Sequence, residues 1–231
     1  MPKKKRRAAS SEPGRTARAA AAPPGPMSQR GAQAVFFMAI AFVAAHQGIV
    51  GLVDPARTYL LWALAAAGSL VGVMRRKDAR FTDDLCLSLS PRARGGVLFG
   101  VLACVALAIG GAGNREHGLF ATSTVDATLV GCLVFAGAML AWGGAAGAVT
   151  TMLGRSAPGI FAGALVFTMS FFNGNLYSDA AVFVAAIAAT IVTQRTRSVG
   201  FAAIVFAYGA GGVPAAIATS ALYVLVAAAR P

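Results

Sequence analysis

The amino-acid sequence predicts an all-α, polytopic membrane helix bundle with seven to eight transmembrane helices. Of the 231 residues, 57% belong to the hydrophobic set and only 12% are charged, whereas a soluble domain is nearer one-half apolar and one-quarter charged. The mean hydropathy is +0.69. In addition, the charged residues separate uncharged runs, most of which are about as long as a membrane-spanning helix. This composition excludes an ordinary soluble domain, a disordered chain and a fibrous protein.

The first 30 residues form a basic tail. Eight of them are Lys or Arg against a single acid, Glu12, and no apolar run directly follows the basic start. We therefore expect residues 1–30 to be a disordered cytoplasmic segment that contacts anionic lipid, and not a secretory signal. Nucleic acid is not an expected partner, because no aromatic residues interleave with these charges. The membrane domain is expected to occupy residues 31–230.

Six uncharged runs each predict one helix. A helix rises 1.5 Å per residue, so roughly 20 residues cross the hydrocarbon core. The runs lie at 31–53, 58–74, 95–114, 127–154, 156–178 and 180–194. The last of these is short, so Leu176 and Tyr177 are expected to extend it backwards. Asp179 then falls in its first turn, where an acid suits the helix dipole.

The final uncharged run, 198–229, has 32 residues and is too long for one upright helix. Gly209, Gly211, Gly212 and Pro214 lie near its middle, and Gly and Pro together interrupt a helix. We interpret the run as two half-length or strongly tilted helices that meet near Gly211, a break within Gly209–Pro214. The second of these helices is the possible eighth span.

The distribution of basic residues predicts the orientation in the membrane. Six of them crowd the loop at 75–94: Arg75, Arg76, Lys77, Arg80, Arg92 and Arg94. Because cytoplasmic loops carry the excess of Lys and Arg, we expect this loop and the N-terminus to be cytoplasmic. A paired final run would return Arg230 to the same side. The expected location is a multi-pass position in a cell membrane, of the bacterial inner-membrane type.

Glycine spacing predicts close helix contacts. Four G-x-x-x-G pairs occur, at Gly68/Gly72, Gly96/Gly100, Gly143/Gly147 and Gly159/Gly163. Spacing of four places both glycines on one helix face, where two backbones can approach closely. The expected partners are the lipid bilayer and other membrane proteins that contact such faces.

Four residues are candidates for a binding site. His46, in the first span, is either a proton relay or ligand, or an interhelical hydrogen-bonding group. Asn173 and Asn175, at the outer end of the fifth span, either line a small site or form a turn. Tyr208 lies beside the predicted break, where unwound backbone must be buried in protein or line a wet cavity.

The remaining polar and aromatic residues predict no cofactor or metal. Cys86, Cys104 and Cys132 are far apart and form no C-x-x-C pair, so neither a disulfide framework nor a metal site is expected. Trp142 and Tyr223 are interpreted as ordinary aromatic residues near the membrane interface.

Two segments resemble parts of a known family. The segment Arg80-Phe81-Thr82-Asp83-Asp84-Leu85-Cys86-Leu87, followed by Ser90-Pro91-Arg92-Ala93-Arg94 and a long apolar run, resembles a cytoplasmic loop of CPBP proteins. These are the CAAX-protease and bacteriocin-processing intramembrane proteases. The segment Thr193-Gln194-Arg195-Thr196-Arg197-Ser198-Val199 is similar to the short turn before the last conserved helix of that family. The order and spacing of spans from about residue 58 to 229 also agree.

The catalytic residues of that family are not present in this chain. The resemblance places a paired Glu near Gly143–Gly144, an Arg near Ala148, one His near residues 171–173 and another near Ala207 or Tyr208. None of those residue types occupies these places. Because the chemistry expected of the family uses a buried Glu as a base that activates water, the resemblance implies a relative without catalytic residues.

The sequence therefore favours a non-catalytic membrane protein that binds or scaffolds membrane partners. Two alternatives stay open: an intramembrane peptidase with an unrecognised active site, and a small transporter or channel component, which the broken helix suggests. Convergence of His46, Asn173 and Tyr208 would favour either alternative, whereas a dry apolar interior would favour the first function.

The predicted orientation can be tested by cysteine labelling in intact cells. We expect Ala79→Cys, in the 75–94 loop, to react with a membrane-impermeant maleimide only after the membrane is opened. His117→Cys, in a predicted outer loop, is the matched control and should react in intact cells. Labelling of Ala79→Cys from outside would contradict the predicted topology.

Overall fold

The computed structural model describes residues 29–50, 85–89, 124–172 and 174–228. The basic tail and the predicted spans at 58–74 and 95–114 lie outside the described residues, as do the glycine pairs in those spans. Within the described part, the chain is almost entirely helical, and its only extended pairing is an isolated bridge between Leu87 and Ser198.

Six α-helices are described. They are α1 (Gln29–Val50), α2 (Thr124–Ala138), α3 (Ala146–Leu153), α4 (Ser156–Ser170), α5 (Leu176–Thr196) and α6 (Gly200–Ala228). A π-helical turn, Met139–Ala145, joins α2 to α3 without a break. Three helical segments are long and apolar enough to cross a membrane: Val125–Leu153, α5 and α6. This finding supports an integral membrane protein.

The ends of these helices follow from local chemistry. Gly154, at φ 64°, ends α3 in the left-handed conformation that glycine adopts at little cost. The exposed Arg155 then precedes α4. Helix α5 begins at Leu176 with Asp179 in its first turn, which confirms the predicted backward extension.

The continuous rod formed by α2, the π turn and α3 lies at the centre of the bundle. Its most apolar stretch is 89% buried, against 50% for α5. Helix α4 packs on α3 through its own glycine pair, because a β-carbon at Gly163 would come within 2.9 Å of the Ala141 carbonyl oxygen and of the Ala146 Cβ. The predicted contact face at Gly159 and Gly163 is therefore confirmed.

Helix α6 folds back on itself. Gly212 has φ 71° and ψ −155°, outside the helical region, and Pro214 follows it. A straight helix would separate Gly200 from Tyr223 by about 35 Å, yet a β-carbon at Gly200 would overlap the Tyr223 ring. Residues 200–211 and 213–228 are therefore two antiparallel arms, and α6 ends at the end of the bundle where it begins. The predicted break and pair of short helices are both present.

The break in α6 packs against α2. Thr219 Oγ1 donates a hydrogen bond of 2.9 Å to the Gly131 carbonyl oxygen. A β-carbon at Gly131 would overlap the Ala215 backbone, and one at Gly211 would lie 3.4 Å from the Ala127 carbonyl oxygen. Small residues thus let the returning arm and α2 touch backbone to backbone, so one side of the break is covered by protein.

Replacing Gly131 tests this contact. Gly131→Val should lower the free energy of unfolding by about 3 kcal/mol, because the added atoms meet the fixed backbone at Ala215 and not a flexible side chain. Val125→Leu, in the same helix but exposed, is the matched control and should change stability little. Thermal unfolding in detergent measures both, and equal unfolding midpoints would contradict the close contact.

Candidate functional site

The described site candidates from the sequence do not converge. Asn175 precedes α5, and its Oδ1 accepts hydrogen bonds from the backbone N–H groups of Tyr177 (3.1 Å) and Ser178 (3.3 Å), so it caps the helix. Tyr208 lies 54% exposed on the outer side of α6, away from the bundle interior. His46 lies within α1 but its side chain is outside the description, and Asn173 is outside the described residues.

A different set of residues forms the most ordered polar junction of the described chain. We call this junction the clasp and define it as residues 85–89, residues 197–199, Gln194 and Tyr223. Leu85, Cys86 and Leu87 are completely buried. Their backbone pairs with the turn between α5 and α6, where the Val199 N–H donates to the Cys86 carbonyl oxygen at 2.7 Å.

The clasp holds two residues in a strained backbone conformation. Cys86 and Arg197 both have φ 57°, and they are the only described residues other than glycine with positive φ. This conformation costs about 1–2 kcal/mol in a residue that has a β-carbon. The Arg197 N–H bonds the Thr193 carbonyl oxygen at 2.8 Å, and the Ser88 N–H bonds the Arg197 carbonyl oxygen at 3.2 Å. These hydrogen bonds offset the strain and turn both segments into the Leu87–Ser198 bridge.

Tyr223 closes the clasp from the returning arm of α6. Its hydroxyl donates to the Ser88 carbonyl oxygen and lies 2.8 Å from the Ser198 Oγ. Because the tyrosine hydroxyl has one proton, the Ser198 hydroxyl is the donor in the second bond. The ring also packs edge-on against Phe135 of α2, with centroids 6.3 Å apart. One side chain therefore joins both clasp strands to the central rod.

Gln194 joins the clasp to the π turn. In an α-helix the Ala146 N–H would bond the Trp142 carbonyl oxygen, but here it bonds the carbonyl oxygens of Ala141 and Gly143. The Gln194 Nε2 donates to the Trp142 carbonyl oxygen instead, at 2.6 Å, and lies 3.3 Å from the Gly143 carbonyl oxygen. The side chain of α5 thus takes the place of the helical N–H that the π turn displaces.

The clasp lies next to an aromatic cluster in the bundle interior. Trp142, Phe167 and Phe206 are completely buried. The ring centroids of Trp142 and Phe167 are 4.4 Å apart, and Phe206 meets both rings edge-on at 6.0 and 5.1 Å. The prediction that Trp142 is an interface aromatic is therefore wrong: a small-residue stretch beside it, Gly143–Gly144, lets neighbouring chain pack so closely that Trp142 is enclosed.

The prediction for Tyr223 is also incomplete. The sequence analysis gave it no role, because an aromatic residue near the end of an apolar run is common in membrane proteins. The signal available was the break in α6, since a folded-back helix brings its late residues to the level of its first ones. Gln194 carried a second signal: it is a lone amide close to the end of an otherwise apolar run.

The chemical groups of the clasp are suited to holding chain segments together. They are one amide, hydroxyl groups and the buried thiol of Cys86, which lies 3.9 Å from the Gln194 Nε2. Among the described residues, no three His, Cys, Asp or Glu side chains gather as metal ligands would. The described part of the chain therefore offers a structural junction at this place.

The positions that the family resemblance singled out are tightly packed. A β-carbon at Gly143 would overlap the Leu85 carbonyl group, and one at Gly144 would lie 2.5 Å from the Val35 Cγ1. Ala148 and Ala207 are completely buried. A larger side chain at these four places would displace the clasp or a neighbouring helix.

Comparison with known proteins leaves the resemblance to rest on the sequence motifs. No protein-family model, no curated protein and no solved structure matches this chain.

The clasp predicts unequal effects for two tyrosines of α6. Tyr223→Phe should lower the free energy of unfolding by about 2 kcal/mol, because it leaves the buried Ser88 carbonyl and Ser198 hydroxyl without their partner. Tyr208→Phe removes the same atom from an exposed position of the same helix and should stay within about 0.5 kcal/mol of the unchanged protein. Unfolding in detergent measures the difference, and similar losses would contradict the role of the clasp.

Proposed function

We propose that this chain is an integral membrane protein that binds other membrane proteins and has no catalytic role. The observation that carries the proposal is the packing at Gly143 and Gly144, where the backbone of Leu85 and the side chain of Val35 lie too close for even a β-carbon. A water-activating carboxylate needs space for its own side chain, a water molecule and a substrate. The contacts at these glycines occupy the space that such a carboxylate would need.

The aromatic cluster supports the same proposal. Trp142, Phe167 and Phe206 fill the bundle between the central rod, α4 and the first arm of α6. A dry interior of aromatic and small residues stabilises a fixed helix arrangement. The transporter alternative was suggested by the break in α6, but that break packs against Gly131 and Ala127 of α2, so it gives the alternative no support.

The outer face of α6 is the binding face in this proposal. An open apolar groove of about 560 Å³ runs along it. The lining residues are Tyr208, Val213, Ala216, Ile217, Ser220, Ala221 and Val224. Small residues next to larger apolar ones form the kind of surface into which the side-chain ridge of another helix fits. We infer that a transmembrane helix of a partner protein docks there.

The relation to the CPBP family and the orientation in the membrane are part of the same proposal. The relation rests on the motifs at 80–87 and 193–199. The orientation with a cytoplasmic N-terminus is supported by the course of α6, which begins just after Arg195 and Arg197 and ends at the same end of the bundle. Under the positive-inside rule that end is cytoplasmic.

Photo-crosslinking in the native membrane tests the binding face. A photoreactive phenylalanine analogue at Ile217, which is 63% exposed in the groove, should give a discrete adduct with another membrane protein. The same analogue at Val184 of α5, which is 61% exposed and is not among the groove residues, is the matched control and should give lipid adducts only. Lipid adducts at both positions, or the same protein adduct at both, would contradict the proposal.

A further inference from the structure

We propose that the rod formed by α2, the π turn and α3 has two registers, related by one residue, and that Gln194 selects the π register seen here. The first observation is the exchange of hydrogen bonds at Trp142. Its carbonyl oxygen has lost the Ala146 N–H and accepts from Gln194 Nε2 at 2.6 Å. The rod is thus held in the π register by a bond from another helix.

The second register follows from the first when that bond is lost. An unpartnered carbonyl in an apolar interior is costly, and the Ala146 N–H is the donor that a continuous α-helix would supply to the Trp142 carbonyl oxygen. Taking up this bond converts the π turn into α-helix. Every residue beyond the turn then advances by one position, which is about 1.5 Å along the axis and about 100° around it. The place that each residue leaves is taken by the residue before it.

The contacts of the rod tolerate this exchange. The place of Gly144, against Val35, passes to Gly143, so a glycine again meets the Val35 side chain. The place of Ala146, against Gly163, passes to Ala145, so the methyl group there is unchanged.

The next turn of the rod behaves in the same way. The place of Thr150, against Gly159, passes to Val149, whose side chain has nearly the same shape. Farther along, the place of Leu153 passes to Met152, which is a volume-conserving change. The doublets in Gly143-Gly144-Ala145-Ala146 therefore present the neighbouring helices with matching side chains in either register.

The geometry also provides an outlet for the movement. An advance of the rod pushes the end of α3 toward Gly154, whose left-handed conformation and empty surroundings leave room for the backbone to adjust. The latch itself is tied to the clasp, because Gln194 is followed directly by the turn that pairs with residues 85–89. Opening of the clasp would therefore release Gln194 and shift α3 against α1 and α4.

Disulfide trapping distinguishes the two registers in the full chain. In the π register, position 35 faces position 144, and in the α register it faces position 143. We compare the yields of Val35→Cys/Gly143→Cys and Val35→Cys/Gly144→Cys in liposomes, with the native cysteines kept and each disulfide identified by peptide mass spectrometry. Gln194→Met, which keeps the length of the side chain but has no donor, should raise the ratio of the first yield to the second at least about tenfold.

The matched control is Thr193→Val. Thr193 is the buried neighbour of Gln194, and its Oγ1 has no hydrogen-bond partner in the described structure, so this change should leave the ratio unaltered. An unchanged ratio in folded Gln194→Met protein would overturn the proposal. Failure of Gln194→Met to fold, when Thr193→Val folds, would overturn it as well, because the α register would then not be a stable alternative.

Discussion

A backbone carbonyl enclosed in an apolar interior must have a hydrogen-bond donor, and the described structure is arranged around this requirement. The chain departs from regular α-helix at the π turn and in the segment 85–89. Each departure is matched by a donor from a distant part of the sequence, Gln194 for the Trp142 carbonyl and Tyr223 for the Ser88 carbonyl. Without water to take these bonds, the two side chains determine which irregular backbone is allowed.

The same two side chains explain why glycine occurs where it does. Gly143 lies against the Leu85 carbonyl group, and Gly200 lies against the Tyr223 ring. Both glycines are at positions where the clasp meets a helix, and a β-carbon would push the hydrogen-bonding partners apart. The small residues of this chain therefore serve two purposes: some pack helix on helix, as Gly163 does, and others admit the clasp.

Much of the helical framework was predictable, because charge spacing and hydropathy depend only on neighbouring residues. The start of α5 at Leu176 and the break near Pro214 followed from such local signals. The π turn did not, because an inserted residue leaves an apolar run equally apolar. The clasp joins residues such as Cys86 and Gln194 that are 108 positions apart, and no local pattern reports a contact at that separation.

The candidate site shows the same division between local and distant information. Asn175 was open to a turn interpretation, and the structure shows it capping α5 through bonds within three residues. The interpretation of Tyr208 depended on whether the break faced water or a helix. That question is decided by α2, whose Gly131 and Ala127 approach the break, and the sequence of α6 alone carries no information about this neighbour.

The way α6 is held bears on what its outer face can do. The tip of the hairpin is fixed by the Thr219 bond to Gly131, and its foot is fixed by Tyr223 in the clasp. Both anchors lie on the inner side, so the outer groove, with Val213 and Ile217 exposed, keeps its shape without a partner. Binding to a preformed surface avoids the entropy cost of ordering it. A rigid, outward-facing hairpin is therefore better suited to docking a helix than a loop held at one end would be.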